Sequence, residues 1–88
     1  MEYEVITLKI PKYSNKTGVK LAWEENFLIK VAIEGTSVVI QANENGLISL
    51  ARHLLHLANK EVPINSHFHL DEYNSLEEGS AEIIIEKI

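Results

Sequence analysis

Residues 43–60 read NENGLISLARHLLHLANK, and this stretch decides the fold. It is the only segment with a sustained helical period. Leu47, Leu50, Ala51, Leu54, Leu57 and Ala58 recur at three- and four-residue steps, and Ile48 and Leu55 widen the apolar stripe to about half of the helix surface. The opposite arc carries Ser49, Arg52, His53, His56 and Lys60. Asn43 or Asn45 can cap the amino end, Lys60 suits the negative carboxyl end, and Pro63 forbids continuation. This pattern predicts that the leucine stripe is buried with Leu54 at its centre, while the histidines face water. A stripe that broad needs a broad apolar partner.

The flanking segments supply one. Tyr3–Ile10 alternates, with Ile6, Leu8 and Ile10 on one side, and Pro11 ends it. Residues 12–18 (KYSNKTG) are polar and turn-forming, and residues 19–23 suit a short strand. Phe27, Ile29, Val31 and Ile33 share one face of the next segment. Gly35 permits a tight reversal into a second stripe of Val38, Ile40 and Ala42. Beyond the helix, Ser66–Leu70 and the isoleucine-rich Ser80–Ile88 read as strands. The polar loop between them has Ser75 and Glu78 at capping-box spacing. The expectation is an α+β fold: a single, largely antiparallel sheet of five to six strands with one long helix packed on one face, formed by residues 1–88 as a single domain. Its open face would carry Val5, Leu28, Lys30, Val39, Gln41, His67, His69 and Ile84.

Charge is unevenly placed. Residues 1–70 hold seven acidic and seven basic side chains. Residues 71–88 hold Asp71, Glu72, Glu77, Glu78, Glu82 and Glu86 against Lys87 alone, and so carry the whole formal charge of −5. Such an end repels nucleic acid and attracts basic surfaces, although glutamates that merely keep a hairpin solvated give the same pattern. The chain has no cysteine, no apolar run near the roughly 20 residues that span a bilayer, and no basic-then-apolar leader pattern. A cytoplasmic protein without membrane or nucleic-acid partners is the expectation.

No enzyme constellation emerges. In a strand His67, His69 and Asp71 point the same way, which makes them a weak candidate metal site; alternating polar residues on an outer strand face explain them equally well. Ser49 with His53 or His56 lacks a third member and oxyanion donors. Gly46 stands alone at the helix start, so no phosphate loop forms there. Trp23 reads as a sheet-edge anchor more readily than as a ligand platform. No cofactor is expected.

The helix core GLISLARHLLHLA (Gly46–Ala58), followed by HFHLDEYNSLEEGSAEIIIEK (His67–Lys87), resembles the immunity protein 32 family of bacterial polymorphic toxin systems. WEENF (Trp23–Phe27) and IEG (Ile33–Gly35) fit the same pattern, so the likeness covers roughly residues 19–88. The resemblance implies a non-catalytic protein that binds and neutralises a toxin domain, and it brings no catalytic residue. A basic toxin would meet Asp71, Glu72, Glu77 and Glu78 first, with Leu28, Val39 and Ile84 offering apolar area beside them. A homodimer joined through the open sheet face or an edge strand, and a metal-dependent enzyme using His67, His69 and Asp71, are the competing readings.

Overall fold

Two short antiparallel hairpins flank one helix in the computed structural model, which describes residues 1–88. The order is β1 (Ile29–Glu34), β2 (Ser37–Ala42), α1 (Glu44–Ala58), β3 (His67–Leu70) and β4 (Ile83–Glu86). In the first hairpin Ile29 lies opposite Ala42 and Glu34 opposite Ser37, leaving the two-residue connection Gly35-Thr36. Gly35 has φ 61°, the sign that the first position of a type II′ turn requires. In the second hairpin His67 lies opposite Glu86 and Leu70 opposite Ile83.

The expected single sheet of five to six strands does not form; there are two separate two-stranded sheets. The loop ahead of β4 stitches them together instead. Glu77 N–H donates to Ile29 O at 2.9 Å, Ala81 N–H to Val31 O at 2.9 Å, and Val31 N–H to the Ser80 hydroxyl at 3.1 Å. A side chain takes the Val31 donor, so the ladder is interrupted where a continuous sheet would need backbone. Ser75 and Glu78 form no capping box; the turn in that loop starts at Asp71 and is closed by Ser75 N–H donating to Asp71 O at 3.1 Å. Asp71 Oδ1 accepts from Tyr73 and Asn74 N–H and shapes that loop.

The two other expected strands also fail to pair. Residues 1–13 make no backbone–backbone hydrogen bond, and Lys9 O instead accepts from Arg52 Nε at 2.9 Å. This segment lies along α1, not along a sheet edge. Residues 19–27 likewise lack backbone–backbone bonds. Their partners are side chains of α1. Lys20 N–H donates to His56 Nε2 at 3.1 Å, His53 Nε2 lies 3.2 Å from Ala22 O, and Glu24 N–H donates to Ser49 Oγ at 2.8 Å. Alternate residues of an extended chain aim their backbone groups at one side, and residues 49, 53 and 56 share one helix arc. One face of a helix thus serves Lys20–Glu24 as a neighbouring strand would.

This ladder reverses α1 relative to the expected facing. Gly46, Ser49, His53, His56 and Leu57 are buried, whereas Leu54 is 46% exposed and Leu47 56%. Gly46 explains how the helix comes so close: a Cβ there would lie 2.5 Å from Leu28 O. Asn43 is the N-cap, accepting from Gly46 N–H at 2.8 Å and from Leu28 N–H at 3.0 Å, so one amide joins the helix start to β1. At the other end Lys87 Nζ donates to Asn59 O and Val62 O, both at 2.8 Å, and binds the C-terminal segment beneath the helix end. Ile29, Val31, Leu57, Val62, Phe68, Leu70 and Leu76 form the core between helix and hairpins. His53 stands edge-on to Trp23 at that boundary, and Trp23 stacks on Phe27 at 4.2 Å.

Candidate functional site

Strand alternation sets the outer face of the hairpins. Ile29, Val31, Phe68 and Leu70 point inward, so Lys30, His67, His69, Ile84 and Glu86 point out and are exposed. Leu28, Glu77, Lys30 and Gln41 line one open hollow of about 400 Å³. Val39 lies opposite Ala32 and is half-buried, and Ile84 lies opposite His69 and is exposed. Leu28 and Glu77 are therefore brought together, with Ile84 on the outer face of the other hairpin.

The acidic groups divide into two sets. Asp71 holds its own turn, and Glu72 Oε2 accepts from Gly79 N–H at 2.8 Å, so both are engaged within the loop. Glu77 and Glu78 are exposed, and none of these four joins an ion pair. Glu82 and Glu86 add two carboxylates on the outer face of the β4 segment. Sequence reasoning counted their charge but did not place them at the surface with Ile84. The alternation EIIIE (Glu82–Glu86) was the available signal.

His67, His69 and Asp71 do not form a ligand set. His67 Nδ1 lies 3.9 Å from Glu86 and His69 Nδ1 3.6 Å from Glu82, across the hairpin, while Asp71 turns its oxygen to backbone N–H groups. No group of three or more His, Asp or Glu side chains is placed to hold a metal ion.

The buried histidines of α1 are structural. The His53–Ala22 contact requires a proton on Nε2, because a carbonyl only accepts. His56 Nε2 accepts from Lys20 N–H, so that ring carries its proton on Nδ1. The two rings are opposite tautomers, and neither Nδ1 has a partner. Burial lowers the His53 pKa, opposed by its bond to Ala22 and assisted by nearby Arg52 and His56. Ser49 Oγ is occupied on both sides, accepting from Glu24 N–H and donating to Asn45 O. This Ser–His arc faces no cavity and has no free nucleophile.

A family model for immunity protein 32 matches residues 37–88, more than half of the chain. The chain belongs to the immunity protein 32 family. Within that match lie β2, α1, β3, the acidic loop and β4, whereas Trp23–Phe27 and Ile33–Gly35, which also carry the resemblance, fall outside it. No curated protein and no solved structure matches the chain. Immunity protein 32 membership implies a protein toxin as partner in general terms. No helix of the chain is long and apolar enough to cross a membrane.

Proposed function

We propose that this chain is a non-catalytic immunity protein that neutralises a cognate toxin domain by covering it. The docking surface is the outer face of the hairpins together with the acidic loop ahead of β4. The observation that carries this reading is the one-sided charge: residues 71–88 hold the whole net charge, and Glu77 and Glu78 stand exposed without ion-pair partners. A basic toxin surface would be steered to that end, with Leu28, Val39 and Ile84 supplying apolar contact.

Co-expression with the product of the adjacent upstream gene tests the function. Rescue of growth and co-purification are expected, and loss of both refutes the reading. The placement has its own test. Reversing Glu77 and Glu78 to lysine should slow association severalfold and flatten its salt dependence, since rim charges act mainly on encounter. Glu25→Lys, in the turn before β1, should do less. A larger effect from Glu25→Lys moves the interface elsewhere.

A further inference from the structure

The outward arc of α1 carries a second surface, and its side chains define what fits there. Leu47, Ile48, Ala51, Leu54, Leu55 and Ala58 all lie within one arc, three to four residues apart, with Glu44 as the single charge among them. The four large residues are 39–56% exposed. An apolar face of this kind, left in water, marks an interaction site. It lies across the core from the acidic hairpin face, in the part of the chain whose seven acidic and seven basic groups cancel. A second copy can approach there without the repulsion it would meet at the acidic end.

The order of sizes along the arc is self-complementary. Leu47, Ala51, Leu54 and Ala58 follow heptad spacing, leucine alternating with alanine. Two such helices laid antiparallel about an axis between residues 52 and 53 place Leu47 against the second copy's Ala58 and Ala51 against its Leu54. Every layer is then one large and one small residue, the arrangement that fills space at close approach. A parallel pair would set leucine on leucine and leave gaps between alanines. Ile48 and Leu55 flank the seam and meet across the axis. Beside Ile48 an open apolar hollow of about 360 Å³ lies between helix and N-terminal segment, lined by Ile6, Thr7, Leu8, Leu47, Ile48 and Ala51. The second copy's Leu55 would enter it. We infer that this protein forms an antiparallel, two-fold homodimer through the leucine–alanine seam of α1, leaving the acidic face free.

The seam from Leu47 to Ala58 is only about 17 Å long at helical rise, so the dimer belongs to the small-interface class and should dissociate in the micromolar range. Light scattering after gel filtration, from about 1 to 300 μM, should show the mass rising from one chain to two. Leu54→Glu should raise the dimer Kd at least about 100-fold, since the two-fold axis introduces the charge twice. The circular dichroism spectrum should stay unchanged. Size exchange supplies the specific readout. Leu54→Ala alone, or Ala51→Leu alone, should weaken association at least about tenfold, and the double swap should restore it to within about fivefold, because it rebuilds large-on-small layers. A monomer throughout the range overturns the inference. So does a dimer that ignores Leu54→Glu but is broken by Ile84→Glu, or a double swap as weak as its parents.

Discussion

The two arcs of α1 make the most instructive contrast in the molecule. One is built of leucine, isoleucine and alanine and looks into solvent; the other contains glycine, serine and two histidines and is buried. Hydrophobicity alone would turn the helix the other way. Opposing that is the backbone of Lys20–Glu24, which has no backbone partners and whose polar groups bond to the inner arc of the helix. Leaving each such group unpaired inside the protein costs about 1–3 kcal/mol, so three of them cost about 3–9 kcal/mol. Half-exposing four large apolar side chains costs about 3–6 kcal/mol, at about 1.5–3 kcal/mol for each one fully exposed. The terms are close in size, and one further feature favours the observed facing. Gly46 lets the inner arc come into contact with β1; under the proposed dimer the outer arc would also recover burial.

The sharpest way to break this comparison is to truncate one leucine from each arc. Leu57 is buried in the core, and Leu57→Ala should cost about 2–5 kcal/mol in a urea titration. Were the helix to face the other way, Leu54→Ala would show that loss instead. The close contact at Gly46 is the next test. Gly46→Val would set its Cβ 2.5 Å from Leu28 O and 2.9 Å from Ile29 Cγ1, so β1 must move away, and about 3 kcal/mol should be lost. A valine variant as stable as the parent would show that the helix does not press on β1.

Much of the local structure was legible, because local signals govern it. Gly35 between alternating segments marked the β1–β2 hairpin. Asn43 and Asn45 marked the helix start, of which Asn43 is the cap, and Phe68 and Leu70 marked the inward face of β3. The long C-terminal run carried the family. The failures are non-local. Residues 3–10 and 19–23 have strand patterns, but a pattern does not say whether a sheet edge is available; one segment ended beside α1 and the other on its side chains. The gap between the two sheets turns on Ser80 supplying a hydroxyl to Val31 where backbone would be needed. The facing of α1 is the largest departure from the sequence pattern. Its signal was present in Gly46, three residues before Ser49 and seven before His53: small residues on a polar arc mark close approach as well as exposure. At the acidic surface, counting charges could not separate Glu72, held by Gly79 N–H, from Glu77 and Glu78, which are free.

Acid should weaken the inner arc selectively. Burial lowers the His53 pKa below its ordinary 6.5, so the folded chain resists a proton that the unfolded chain accepts. The unfolded state then binds more protons below pH 6.5, and stability that is complete above that value is lost as pH falls toward the lowered pKa of the folded state. Urea midpoints taken between pH 7.5 and 5.5 should decline, and His53→Gln, whose amide can still donate to Ala22 O, should flatten that part of the decline. The reverse slope would place His53 outside the buried arc.

The smallest effect belongs to the outer arc and depends on concentration. In an isolated chain Leu54 is 46% exposed, so Leu54→Ala removes roughly half the burial of a core leucine and should cost about 1 kcal/mol. That value should be read well below micromolar, where the dimer has dissociated. At about 100 μM the parent gains stability by mass action while the variant gains much less, so their midpoints separate as protein is added. A seam in use therefore predicts a difference that grows with concentration, and a bare solvent-facing leucine predicts one that stays constant. Leu57→Ala supplies the reference, because its large loss originates in the core and persists at every concentration. Midpoints of Leu54→Ala and parent that remain a fixed distance apart from 0.5 to 100 μM would remove the dimer and leave the outer arc without a partner of its own kind.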